Sequence, residues 1–348
     1  MDIIQVTLQG SELLRVVLLG VCGFLLSTIL TVPYTTLAYR WQLWKRPRTD
    51  TVTGAPATII AKLHAEKHKR HIPTMAGVIF ILSVSILTLL FNLERKETWL
   101  PLAAFAGAAL VGFVDDMFNL RSNGKGKAGL PPKVKLFLMT LVAAVGGWYF
   151  FAKLGFDSVQ LPGIQAASLT LGWLIVPLFV LVVVATANAV NISDGLDGLA
   201  GGLTTIAFAI YAVIAVIEGK YGIAGFCATL VGALMSYTWF NIFPARFFMG
   251  DVGSFALGTA LGVVAMFTDT VLLLPVIGAV FVAEAGSVIL QVTSKKLRHG
   301  KKIFRVSPVH HHFEALGWPE TKVTMRFWVI GMISSLIGLA LFCMGRFG

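Results

Sequence analysis

The sequence predicts an all-α polytopic membrane protein built as a single domain over residues 1–348. Three observations predict it. The chain of 348 residues is 56% hydrophobic and only 13% charged, whereas soluble domains carry about 25% charged residues. Ten apolar runs approach the roughly 20 residues that a spanning helix needs, and none alternates as barrel strands do. Finally, 22 of the 28 Lys and Arg residues fall in four segments that share one side of such a bundle. This composition excludes a disordered chain, a coiled coil and a disulfide scaffold.

The runs follow in order. Leu13–Ala38 has no basic stretch before it and reads as a retained span, not a cleaved signal peptide. Thr74–Leu93 follows the basic stretch Lys69-Arg70-His71, and Trp99–Phe118 carries Asp115 and Asp116 near its end. Lys135–Lys153 begins after Leu130-Pro-Pro-Lys133, and Leu169–Val190 leads into a segment rich in Asn and Asp. Leu199–Ile217, Gly222–Phe240, the short Ser254–Phe267, Val271–Thr293 and Phe327–Arg346 complete the ten. Helices are the spanning element that satisfies every backbone group internally. Gly107, Gly112, Gly146, Gly147 and Gly232 suit close helix packing. Cys22, Cys227 and Cys343 lie far apart in apolar runs, without metal-site spacing, and read as packing residues.

Charge sets the orientation. The four basic segments are Tyr39–Pro73, Asn119–Lys135, Asn241–Gly253 and Ser294–Arg326. Positive loops stay in the cytoplasm, so both termini of a ten-span chain face outward. The net charge of +11 is therefore a topology signal and not a nucleic-acid surface. Asp115, Asp116, Asp194, Asp197 and Asp251 all sit at or beside the cytoplasmic ends of runs. Carboxylates near hydrocarbon are functional candidates by default. Acidic groups bind a hard cation such as Mg²⁺, and the surrounding basic groups hold phosphates. Together they point to phosphoryl transfer.

Four motifs carry that chemistry. Asp115 and Asp116 are adjacent, so on a helix their side chains diverge by about 100°; one suits a metal and the other a base. In Asn188-Ala-Val-Asn191-Ile-Ser-Asp194-Gly-Leu-Asp197-Gly, the two Asp are spaced i,i+3 and share a face if helical. Capping explains one of these Asp residues, not two Asn and two Asp beside a membrane. Asp251 lies between Gly250 and Gly253, where backbone can approach a metal-phosphate group closely, and Phe248 suits stacking on a nucleobase. His310-His311-His312 precedes Phe313 and Glu314 in a basic segment. Three consecutive His cannot converge on one zinc from a regular helix, so imidazole donors to pyrophosphate, or placement of an acidic group, fit better.

Together these blocks resemble the phospho-N-acetylmuramoyl-pentapeptide-transferase family, a branch of the polyprenyl-phosphate N-acetylhexosamine-1-phosphate transferases. The matching stretches are Pro73-Thr74-Met75, Val114-Asp115-Asp116, Asn188 through Gly198, Phe248 through Ser254, Pro308 through Glu314, Gly317-Trp318 and Arg326-Phe-Trp328. They occur in family order from about residue 60 to 330. The Asp blocks are similar across the superfamily, and the triple His marks the muramoyl-pentapeptide branch.

The resemblance implies ten spans, Mg²⁺ dependence and a cytoplasmic-face active site in the bacterial inner membrane. It implies transfer of phospho-MurNAc-pentapeptide from UDP-MurNAc-pentapeptide to undecaprenyl phosphate, giving lipid I and UMP, in a homodimer. It further implies Asp251 as Mg²⁺ ligand, Asp115 and Asp116 as the catalytic pair, and Asn191, Asp194 and Asp197 as nucleotide and metal-site residues. Phe248 matches the uracil-stacking position and Asn241 a nearby uridine position. Lys69, Thr74, Lys135, Gln291 and His310 match further polar, substrate-binding positions of the active site, and His311 a catalytic one. Asn119 stands where many members carry Lys, and Ala76, Ser307, His71 and Ile72 also depart from the common pattern. Two rival readings are a sister enzyme using UDP-GlcNAc, which lacks the triple His, and an ion-coupled transporter. A transporter's carboxylates belong near the bilayer midplane, and these gather at one face.

Overall fold

The computed structural model describes residues 3–44, 71–121, 129–162 and 167–347, with side chains from residue 9 onward. Its helices are α1 (Ile3–Arg40), α2 (Gly77–Phe91), α3 (Trp99–Arg121), α4 (Pro132–Ala152), α5 (Ile175–Ser193), α6 (Leu199–Ile217) and α7 (Tyr221–Asn241). There follow α8 (Gly250–Phe267), α9 (Leu274–Ile277), α10 (Ala279–Leu297), α11 (Val309–Ala315) and α12 (Glu320–Phe347). A small antiparallel hairpin, β1 (Ser158–Gln160) with β2 (Ser168–Thr170), pairs Ser158 with Thr170 between α4 and α5.

Eight of these helices are long and apolar enough to cross a membrane. The other two predicted spans differ from expectation for physical reasons. α2 has 15 residues, because Thr74 and Ala76 leave the helix to bond backbone elsewhere: Thr74 N–H donates to Leu43 O at 2.7 Å and Ala76 N–H to Phe248 O at 3.0 Å. The run Val271–Thr293 is divided into α9 and α10 at Gly278. α10 carries Glu284, Lys295 and Lys296, which lower its apolarity.

α8 is the axis of the bundle. It packs against α2, α3, α5 and α6, and every one of its residues except Asp251 is buried. Small side chains allow this approach. A Cβ on Gly112 of α3 would lie 2.2 Å from the Asp251 carbonyl oxygen, so only glycine lets α3 lie against the first turn of α8. α1 packs on α7 and α2, while α12 packs on α6, α9 and α10. The outer helices expose large apolar side chains, among them Ile29 and Val32 on α1, Phe137 and Val145 on α4, and Met325 and Ile333 on α12. In water such a surface would be an aggregation hazard; in a bilayer it is the solvated face. The chain is a polytopic all-α membrane protein.

Candidate active site

Antiparallel packing brings the end of α3, the start of α4, the end of α5 and the start of α8 to one end of the bundle. Lys135, in the first turn of α4, joins two carboxylates there. Its Nζ is 2.7 Å from Asp251 Oδ2 and 3.0 Å from Asp115 Oδ2, and it sits over the Phe255 ring at 5.2 Å. Asp115 is 1% exposed. Its Oδ1 accepts from Leu130 N–H at 2.7 Å, and Oδ2 also accepts from Asn119 Nδ2 at 2.9 Å. Asn119 thus supplies an uncharged donor to this carboxylate. Asp251 Oδ1 accepts from Asn191 Nδ2 at 3.2 Å, and the same amide reaches Ser254 Oγ at 2.8 Å. Asp251 lies in the first turn of α8, where the helix dipole favours a negative charge.

Asp116 points elsewhere, as adjacency on a helix requires. Fully buried, it accepts from Val252 N–H at 3.0 Å and so ties α3 to the N-terminus of α8. Of the pair, Asp115 is the carboxylate that shares a cation with Asp251.

The Asp194–Asp197 turn lies beside this centre. Asp194 is half-buried and ends α5. Asp197 is buried; its Oδ2 accepts from Ala245 N–H at 3.0 Å, and its own N–H donates to Glu320 Oε1 at 2.6 Å. Asn241 Oδ1 accepts from Gly198 N–H at 3.0 Å and its Nδ2 donates to Phe247 O at 2.8 Å. Both side chains hold the turn to the 243–247 segment. Phe248 is half-buried, with its N–H donating to Pro73 O at 2.7 Å. Thr74 is buried beneath that crossing, and its hydroxyl has no hydrogen-bond partner among the described residues. Lys69 lies outside the described residues.

The three histidines stand on α11 and diverge. His310 Nδ1 is 2.8 Å from Glu284 Oε2, His311 Nδ1 is 2.6 Å from Glu314 Oε2, and His312 Nδ1 accepts from Arg305 N–H at 3.1 Å. The rings of His310 and His311 are 4.1 Å apart. A Cβ on Gly195 would be 2.3 Å from His310 Nε2, so the ring packs directly on the Asp194–Asp197 turn. Gln291 accepts from the N–H groups of Ile303 and Phe304 at 2.9 and 3.0 Å and donates to Phe304 O at 2.9 Å. It folds the segment that leads to α11. Sequence reasoning missed Glu284, although a lone carboxylate inside the run Val271–Thr293 is the kind of signal that marks function.

Among the described residues, no three His, Cys, Asp or Glu side chains converge as a ready-made metal cage. Mg²⁺ does not need one: it keeps several waters and takes one or two carboxylates plus substrate phosphates. The Lys135 ammonium between Asp115 and Asp251 shows that this gap accepts a positive charge, and the donor set there is oxygen-rich. The residues fit a hard divalent cation.

Residues 98–269 match the glycosyl transferase family 4 model. A phospho-N-acetylmuramoyl-pentapeptide-transferase of Thermodesulfovibrio yellowstonii is 41% identical over 297 residues, covering 80% of this chain and 81% of that protein. Its counterpart in Chloroflexus aurantiacus is 38% identical over 343 residues, covering 95% and 90%. One from a Geobacillus strain is 42% identical over 281 residues, covering 79% and 85%. With such identity sustained over most of its length, the chain belongs to the phospho-N-acetylmuramoyl-pentapeptide-transferase family.

Proposed function

We propose that this chain transfers phospho-MurNAc-pentapeptide from UDP-MurNAc-pentapeptide to undecaprenyl phosphate, forming lipid I and UMP for peptidoglycan synthesis. The observation that carries the reading is Lys135 held between Asp115 and Asp251 at one end of a membrane bundle. A phosphate oxygen of the lipid attacks the sugar-linked phosphorus; that P–O bond forms as the bond to UMP breaks, and UMP leaves with the electron pair. Asp115 orients the lipid phosphate or takes its proton. A phosphate monoester has a second pKa of about 6, so orientation is the larger part of the task. Lys135 neutralises charge gathering between the two carboxylates. Mg²⁺, held by Asp251 and, in this reading, by Asp194, would neutralise the pyrophosphate and stabilise UMP as leaving group. Phe248 and the half-buried Asn191 belong to the nucleotide side of the site in the same reading.

Transfer of label from radiolabelled UDP-MurNAc-pentapeptide to undecaprenyl phosphate tests the proposal. Transfer that requires Mg²⁺ and stops with a chelator is expected. Efficient transfer from UDP-GlcNAc instead would move the chain to the sister activity, and no transfer from either donor would refute an enzyme of this class. The site faces the cytoplasm of a bacterial inner membrane in this reading. A single cysteine replacing Arg305, in a chain without Cys22, Cys227 and Cys343, is expected to react in intact cells only after permeabilisation. A homodimer belongs to the same proposal, and native mass measurement in detergent tests it.

A further inference from the structure

Glu284 lies in α10 with 0% exposure, and His310 lies opposite it with 1% exposure. One carboxylate oxygen meets His310 Nδ1 at 2.8 Å. Among the described residues, two polar atoms of this pair have no hydrogen-bond partner: Glu284 Oε1 and His310 Nε2. The second of these abuts Gly195, one residue from Asp194 and two from Asp197. No side chain other than hydrogen leaves room for the ring at that position.

We propose that Glu284 is a positioning residue: it orients His310 and keeps a proton on Nε2, so that this N–H serves a phosphoryl oxygen of the nucleotide donor at the Asp194–Asp197 turn. The inference rests on the transfer reaction above for the identity of that acceptor. A net charge on a pair this deeply buried is costly. A neutral pair with one proton between Nδ1 and Oε2 has three proton arrangements. In two of them, an imidazolium beside a carboxylate and a protonated Oε2 donating to Nδ1, Nε2 carries hydrogen. The third, with Nδ1–H donating to Oε2 and the other proton on Oε1, leaves Nε2 bare, and an anionic oxygen at the Asp194–Asp197 turn selects against it. A buried donor without an acceptor costs free energy, and a pair of apolar residues would fill the same space at no such cost. A group kept there despite that cost is suited to a partner that comes and goes. Lys301, Lys302 and Arg305 precede α11 in the same segment, so the partner that chemistry favours is an anionic oxygen. The His311 ring packs on His310, and fixing one therefore places the other.

The test is a double-mutant cycle with Glu284→Gln and His310→Ala, read as kcat/KM for transfer from UDP-MurNAc-pentapeptide. Glu284→Gln is expected to lower kcat/KM by about tenfold or more, the scale at which residues that orient a functional His act. On the His310→Ala background it is expected to change nothing further. An apolar pair, Glu284→Met with His310→Phe, is expected to unfold no earlier than the wild type and yet turn over as slowly as His310→Ala. Wild-type turnover in Glu284→Gln, an equal loss on both backgrounds, or an active apolar pair would overturn the proposal. ¹⁵N spectra of the histidine-labelled wild-type chain report the Nε2 proton without any turnover. A bare Nε2 refutes the role of Glu284 even in an active enzyme, whereas a protonated Nε2 in a chain that transfers nothing refutes the donor reading alone.

Discussion

The two ends of the bundle use carboxylates differently. At the end opposite the site, Glu97 Oε2 accepts from the N–H groups of Gly222 and Ile223 at 2.8 and 3.2 Å, closing the N-terminus of α7. Asp269 accepts from Gln160 N–H at 3.0 Å and fixes the hairpin. Lys220 is 2.7 Å from Glu218 and donates to Phe267 O at 2.8 Å, holding the ends of α6 and α8 together. Burial pushes the carboxyl pKa of both Glu97 and Asp269 upward, and for Glu97 the charge of Glu94 adds to the rise. At the site end, Asp115 and Asp251 share the ammonium of one long flexible side chain. A carboxylate bound to backbone N–H holds an element in place. A carboxylate bound to a mobile cation can exchange that cation for a ligand. Asp116 and Asp197, though at the site end, belong with the first kind, and Asp115 combines the two, since its Oδ1 also accepts from Leu130 N–H.

Removing the charge of Asp251 is the sharpest way to break this contrast. Asp251→Asn keeps the shape of the side chain and loses an anion, so kcat is expected to fall about 10³-fold, equivalent to several kcal/mol of transition-state stabilisation. The unfolding temperature should hardly move. Wild-type turnover at saturating Mg²⁺ would remove Asp251 from the chemistry. Lys135→Gln comes next, with an expected loss of about 10²-fold in kcat/KM, since one neutralised charge contributes less than a ligand. Equal activity of the Gln variant would show that the ammonium is only a space filler between two carboxylates.

Asp116 sharpens the contrast within one dipeptide. Asp116→Asn gives up a charge-assisted bond to the first turn of α8, and a loss of about 1–3 kcal/mol in stability is expected. Asp115→Asn should leave stability nearer the wild type and depress turnover more. Thermal unfolding and rate measurements on the two variants side by side decide it; the reverse ordering would exchange their roles.

The smallest effect is expected at the far end. A carboxyl whose pKa is raised by folding binds its proton more tightly in the native state, so its contribution favours folding at acid pH. That contribution is lost as pH rises from the ordinary Glu value of 4.5 through the raised native value. Glu97→Gln mimics the neutral form and can still accept from Gly222. Relative to wild type, it should gain unfolding temperature at neutral pH and show no gain near pH 4, with transfer activity unchanged. A pH-independent difference would mean that Glu97 titrates alike in both states.

Much of this arrangement was legible in the sequence. Apolar runs located the helices because lipid demands long uninterrupted stretches of side chains. The short run Ser254–Phe267 is the instructive exception: α8 is surrounded by protein, so small residues serve it better than large ones. The gathering of Asp115, Asp251 and Lys135 was legible because all three stand at run ends on the basic side. The tasks of Asp197, Asn241 and Gln291 were not. Their partners are backbone groups of irregular segments, and in the case of Asp197 the partner is 48 residues away. Nor was Glu284, whose meaning depends on a histidine 26 residues further on.

The contact between Gly112 and the Asp251 carbonyl has a consequence for how this protein can change over time. α3 carries Asp115 one turn beyond Gly112, and α8 carries Asp251 at the point of contact. The separation of the two carboxylates is thus gauged by backbone resting on backbone. A methyl group at position 112 would wedge the helices apart and widen the gap that Lys135 bridges, while leaving every polar group of the site intact. Lineages can vary the lipid-facing surface of α3 freely, but the opposite face is locked by a residue that has no chemistry of its own.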